Sequence, residues 1–274
     1  MSFMILIWVS CLNYIFAASA DTVSVYSAAM GKNLPAIVVL PEHYGQAATP
    51  YPTVYLLHGA GGDYTNWLTL APAIQQLADT YQVIIVCPDG GNTSWYFDSP
   101  VDPAMRFETF IAEELVPWVD GHYQTIQRRS RRAITGLSMG GHGAFYLALR
   151  HPGIWGAAGS MSGGLDIRPF PANWDIARRL GPYPTHRQSW EDNTVVNLLY
   201  LWDSNQPLEL IFDCGTDDFF LDANRRVNQE LGYLNIPHTY IERPGAHNWD
   251  YWQQAVKYQF LFFGEYFAKK TDGQ

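Results

Sequence analysis

The chain has 274 residues, of which 47% are hydrophobic, 15% aromatic and 16% charged, and its formal net charge is −9. That length and apolar content suit a well-packed α/β unit with a full sheet and exclude a disordered chain. The acidic balance argues against nucleic acid or an anionic membrane surface as partner, and no Cys/His spacing resembles a metal site. The 10 Trp and 17 Tyr fit a heavy core, an aromatic-lined cleft for sugars or aryl groups, or both.

The opening "MSFMILIWVSCLNYIFAASA" carries no charged side chain, and Ala18-Ser19-Ala20 has the small-x-small form of a cleavage site. It reads as a signal peptide over residues 1–20, cut after Ala20, which leaves 21–274 as a secreted or periplasmic unit. The usual Lys or Arg near the start is missing, so a retained membrane anchor is the alternative, although the apolar run is short for a span of ~20 residues. No later segment is long enough for a transmembrane helix. With Cys11 removed, Cys87 and Cys214 each end an apolar run, the pattern of buried free thiols, while a disulfide between them stays open.

"VSVYS" and "LPAIVVLP" form two early strands, as a hairpin or antiparallel edge. "TVYLL" (53–57) and "VIIVC" (83–87) are continuous apolar runs, as strands covered on both faces are. Between them "APAIQQLADT" is helical, and "FETFIAEELVPWVDGHY" (107–123) has helical periodicity. "RAITGL" is a strand, followed by a helix from about Gly140 to Arg150 that His151-Pro152-Gly153 stops. "WGAAGSMSG" and "LELIFDC" are further strands, separated by 164–206, which holds helical stretches near 174–180 and 194–203. A helix from about Leu221 to Gly232, the strand "HTYIER" and a helix from about Trp249 to Lys269 complete the chain. This alternation implies an α/β fold with a mainly parallel sheet and helices on both faces, with the site at the carboxyl ends of the strands.

"GLSMG" places Ser138 between a strand and a helix, the setting in which a G-x-S-x-G serine projects from a strained turn as a nucleophile. A serine hydroxyl needs a base, and the base needs an orienting carboxylate; this motif expects them in the order Ser, acid, His. The acid falls in "IFDCGTDDFF", where Asp217 and Asp218 share a turn; Asp218 is the choice and Asp217 the fallback. Asp222 suits a helix start. The base falls in "RPGAHNWDYW", at His247, after the last strand. His142 lies on the helix after Ser138, where it packs nearby or lines the site. A developing oxyanion requires donors, for which the backbone N–H groups of Met139 and of Ala60, in "LLHGAGGDYTNW", are the candidates. "HGAGG" lacks dinucleotide spacing, and no metal or organic cofactor is implied.

Taken together, "LLHGAGGDYTNW", "NTSWYFDSP", "FETFIAEELVPWVD", "ITGLSMGGHGAF", "CGTDDFF" and "PGAHNWDYW" resemble, over about residues 30 to 268, an esterase branch of the α/β hydrolases. That branch includes feruloyl and acetyl-xylan esterases of carbohydrate esterase family one, tributyrin esterases, S-formylglutathione hydrolases and mycolyltransferases. The resemblance implies an α/β-hydrolase fold, the triad Ser138, Asp218 and His247, and an oxyanion hole at Ala60 and Met139. It favours Asp218 over Asp217. It also implies pocket positions at Trp95 and Tyr96, for which a core role is an equal alternative, and a variable insertion or small cap over 164–206 that sets selectivity. The expected function is a serine esterase acting on acyl or feruloyl esters of plant polysaccharides, or on short acyl esters. The rivals are an acyltransferase of the mycolyl type, a thioesterase like S-formylglutathione hydrolase, and a carbohydrate-binding protein without catalysis.

Overall fold

The structure, a computed structural model, describes residues 18–46 and 49–269. Most of the expected signal segment, residues 1–17, lies outside the described residues, and with it Cys11; Ser19 and Ala20 begin the first strand.

Among the described residues, eight strands make one sheet: β1 (Ser19–Ser27), β2 (Lys32–Leu40), β3 (Thr53–Leu57), β4 (Ile84–Pro88), β5 (Arg132–Gly136), β6 (Ala157–Met161), β7 (Glu209–Gly215) and β8 (Thr239–Arg243). Their spatial order is β1-β2-β4-β3-β5-β6-β7-β8. The β1–β2 hairpin pairs antiparallel, Ser19 opposite Leu40, and β2 joins β4 antiparallel; every pairing from β4 through β8 is parallel. All residues of β3, β4, β5 and β6 are buried, which is why those strands read as unbroken apolar or small-residue runs rather than as alternation.

Crossover segments cover both faces. On one face lie α1 (Asn66–Leu70) and α2 (Ala73–Tyr81), where Trp67, Ile74 and Ala78 pack with Val54, Leu56 and Ile85. On the opposite face, α3 (Phe107–Thr109), a π-helical turn (Phe110–Leu115) and α4 (Val116–His122) follow β4, and α5 (Met139–Arg150) follows β5; there Phe107, Leu115 and Phe145 pack with Tyr55 and Ile134. That face also receives α6 (Ile176–Leu180), α7 (Arg187–Asp192) and α8 (Val195–Leu198) from the β6–β7 connection, and α9 (Leu221–Tyr233) after β7. The last helix, α10 (Trp249–Lys269), returns to the first face through Val256, Phe260 and Phe263. Each fully buried side chain of this kind contributes about 1.5–3 kcal/mol. Cys87 and Cys214 are buried free thiols.

The expected single helix over 107–123 is interrupted by the π turn. Pro117, at the start of α4, has no N–H to donate to the preceding turn, and the helical register widens just before it. The helices α1 and α7 go beyond the sequence expectation; both are too short for an apolar period to register. Among the described residues, no helix is long and apolar enough to cross a membrane.

Candidate active site

The site sits where loops leave the carboxyl ends of β3, β5, β7 and β8. After β5 the chain turns so sharply that Ser138 takes φ 55° and ψ −116°, a conformation that costs a residue with a Cβ about 1–3 kcal/mol. Two backbone contacts make the turn possible. A Cβ on Gly136 would stand 2.6 Å from the carbonyl carbon of Gly140, and one on Gly140 would stand 2.6 Å from the oxygens of Leu57 and His58. Only glycine lets these backbones approach so closely. The Ser138 N–H donates to Met161 O at 2.9 Å, which ties the turn to the end of β6.

His247 enters on the loop after β8, and Asp218 on the loop after β7. The two loops are laced together: Thr216 N–H donates to Arg243 O and Asp217 N–H to Gly245 O, each at 2.9 Å. His247 Nδ1 is 2.8 Å from Asp218 Oδ2, and His247 Nε2 is 2.9 Å from Ser138 Oγ. A carboxylate only accepts, so the ring proton is on Nδ1 and Nε2 is left to accept from the serine hydroxyl. The Asp218 side chain is sealed from solvent, and its Oδ1 accepts the Phe220 N–H at 2.8 Å. Asp217, one residue earlier, faces solvent. The structure thus brings Ser138, His247 and Asp218 into one hydrogen-bonded line and leaves Asp217 and Asp222 out of it.

A recess of about 220 Å³ opens on Ser138 and His247, bordered by Gly59, Ala60, Trp174, Trp249 and Trp252. Ala60 therefore faces the space beside the serine. Met139 is the first residue of α5, so its N–H has no acceptor within the helix, while its side chain is buried. A larger cleft of about 640 Å³ lies around Glu108, Arg150 and His151, but none of Ser138, His247 and Asp218 borders it. Chemistry, not volume, singles out the smaller recess.

Of the two readings open for Trp95, Tyr96 and His142, lining the pocket or packing in the core, the structure has the second: all three are buried and none borders the recess. Trp95 and Tyr96 both have left-handed backbone, φ 57° and 60°. Trp95 Nε1–H donates to Trp174 O at 3.1 Å, and Tyr96 O–H donates to His58 O at 3.1 Å, so they hold residues that do face the recess or its loop. His142 Nδ1–H donates to Gly164 O at 2.9 Å, with Trp95 and Phe97 edge-on at 5.4 and 5.3 Å. Burial pushes its imidazole down to about 4, so the ring is neutral at ordinary pH.

What the sequence reading missed is the aromatic border. Trp174 comes from the β6–β7 connection; Trp249 and Trp252 open α10. Phe219, beside Asp218, lies 4.2 Å from the His247 ring centroid, and Trp252 meets that ring edge-on at 4.9 Å. For Phe219, Trp249 and Trp252 the available signal was their place within five residues of the predicted acid or base; Trp174 carried no such signal.

Comparison with known proteins bears on the whole arrangement. Residues 27–263 match the model of the family described as "Putative esterase". The chain belongs to that esterase family. An esterase of Mycobacterium tuberculosis is 30% identical over 249 residues, covering 81% of this chain and 54% of its own length. The chain thus spans about half the length of that relative. An acetyl esterase of Caldicellulosiruptor saccharolyticus is 28% identical over 269 residues, 91% of this chain and 98% of its own. Among solved structures, a ferulic acid esterase superposes with a TM-score of 0.80 at 28% identity, covering 92% of this chain and 99% of its own. The architecture is that of the α/β-hydrolase esterases.

Proposed function

We propose that the protein hydrolyses carboxylic esters through an acyl-enzyme formed on Ser138. His247 Nε2 takes the hydroxyl proton as Ser138 Oγ attacks the ester carbonyl. Asp218 holds the imidazole tautomer and stabilises the cation that forms. The N–H groups of Ala60 and Met139 receive the oxyanion. His247 then delivers its proton to the departing alcohol, and water, activated in the same way, releases the acid and restores Ser138. The observation that carries this reading is the unbroken hydrogen-bond line from Ser138 through His247 to Asp218 beside an open recess.

The substrate reading is a short acyl or feruloyl ester on plant-type polysaccharide or its fragments. Its support is the three-tryptophan border and the likeness to proteins named acetyl esterase and ferulic acid esterase. At about 220 Å³ the recess is below the ~300–1,000 Å³ of drug-sized sites, so part of the ester lies outside it, and the 164–206 segment, which supplies Trp174 to the border, is where selectivity is placed. The uncharged apolar opening supports export as a secreted or periplasmic protein.

The test is turnover of a chromogenic acetate, which should fall by about three or more orders of magnitude in Ser138→Ala. Undiminished turnover would remove the serine mechanism. A panel of acetyl, butyryl and feruloyl esters, a formyl thioester, and an acyl donor with and without sugar acceptor then ranks hydrolysis against the thioesterase and acyltransferase rivals. Acyl-sugar exceeding free acid would replace hydrolysis by transfer.

A further inference from the structure

His58 follows β3 directly and is almost wholly buried, yet both of its ring nitrogens are engaged. Gly90 N–H lies 2.8 Å from Nε2, and Nδ1 lies 2.8 Å from Gly59 O. A backbone N–H can only donate, so Nε2 carries a lone pair. A carbonyl can only accept, so the ring proton is on Nδ1 and points at Gly59 O. The same carbonyl accepts the Gly62 N–H at 3.1 Å. Burial holds the imidazole below its ordinary value, which keeps the ring neutral and this tautomer intact.

The Gly59 carbonyl and the Ala60 N–H belong to one planar trans peptide, in which C=O and N–H point in opposite directions. Whatever fixes the carbonyl fixes the N–H. Two donors grip Gly59 O, so the Ala60 N–H is directed away from them, and Ala60 borders the recess at Ser138. The peptide cannot flip without breaking both bonds. Tyr96 braces the arrangement: its hydroxyl donates to His58 O, and its ring stands edge-on to the imidazole at 6.1 Å.

We infer that His58 is a positioning residue for oxyanion stabilisation, its Nδ1–H aiming the Ala60 N–H at the oxygen of the tetrahedral intermediate on Ser138. This rests on the serine-esterase reading above. A buried histidine serving packing alone would affect folding and not the chemical step.

His58→Asn and His58→Gln separate the two roles. The asparagine amide nitrogen falls near Nδ1 and keeps the donor to Gly59 O; the longer glutamine falls near Nε2 and loses it. Both variants are counted by the Ser138 sites that a fluorophosphonate labels to completion, so misfolded protein drops out. With a chromogenic acetate, the glutamine variant should lose about a hundredfold in kcat, the size of one lost oxyanion donor. Its KM should stay within about threefold, and its affinity for an alkyl boronic acid, a tetrahedral adduct, should fall in step with kcat. The asparagine variant should recover at least tenfold of that kcat, whatever the order of the two Tm values. Equal kcat in the two variants, or a kcat loss in the glutamine variant without a matching loss of boronic acid affinity, overturns the inference while an inactive Ser138→Ala leaves the esterase reading standing. An active Ser138→Ala overturns both.

Discussion

Phe219 stacks on Trp174, their ring centroids 5.5 Å apart and their planes 21° from parallel. One ring belongs to the loop that carries Asp218, the other to the connection between β6 and β7, so two remote segments share one aromatic wall beside His247. Phe219 is about half exposed, which leaves its outer surface free for a planar group. Phe219→Ala should lower kcat/KM for methyl ferulate by roughly fivefold more than for a chromogenic acetate, the value of about 1 kcal/mol for an aromatic pair. Steady-state kinetics on both esters checks this; an equal loss on each would show that the wall serves the histidine and not the acyl group.

The acid assignment separates cleanly. Asp218→Asn should lower kcat by about 10⁴-fold, because an amide beside Nδ1 favours the wrong imidazole tautomer. Asp217→Asn, at a solvent-facing position, should leave kcat within about twofold. The measurement is kcat on one chromogenic ester, with near-ultraviolet dichroism to show that both variants fold.

Gly140→Ala should destabilise the protein by about 1–3 kcal/mol, since the added methyl meets the backbone oxygens of Leu57 and His58, which have no rotamer by which to retreat. Gly121→Ala is the control. It lies in α4, with nothing within 4 Å of the new methyl, and should stabilise by about 0.5–1 kcal/mol. Urea midpoints for the two variants should move in opposite directions.

His142 sets part of the acid limb of the stability curve. Its folded value is lowered to about 4 from 6.5 by burial, so below pH 6.5 the unfolded chain takes up a proton that the folded ring refuses. The contribution is therefore complete above pH 6.5 and is lost progressively as pH falls toward 4, by about 3 kcal/mol at 1.36 kcal/mol per unit. His142→Asn removes this titration. Unfolding free energies measured from pH 7 to pH 4 should fall less steeply in the variant than in the parent; parallel curves would deny the ring its part.

The strands were legible because β3 to β6 are covered on both faces, so "TVYLL" and "VIIVC" had no choice but to be apolar throughout. The order of Ser138, Asp218 and His247 was legible because each follows a strand, and parallel strands bring such loops to one edge. The direction in which an aromatic side chain faces was not legible. Trp95 and Tyr96 stand in a stretch with no period and are buried, and like Trp174 they have left-handed backbone. Trp174 stands in an equally aperiodic stretch and faces the recess. Nothing local distinguishes the two cases; the distinction is made by where β6 and β7 carry the connection.

The bond between Ser138 and His247 closes a loop of 109 residues, from the middle of the sheet to the segment after its edge strand. Pairings of such high contact order form late, after the shorter loops have closed. During refolding, tryptophan burial should recover before turnover, and the first catalytic cycle should time the docking of β8. Recovered turnover would then mark the moment at which two loops 109 residues apart in sequence first meet.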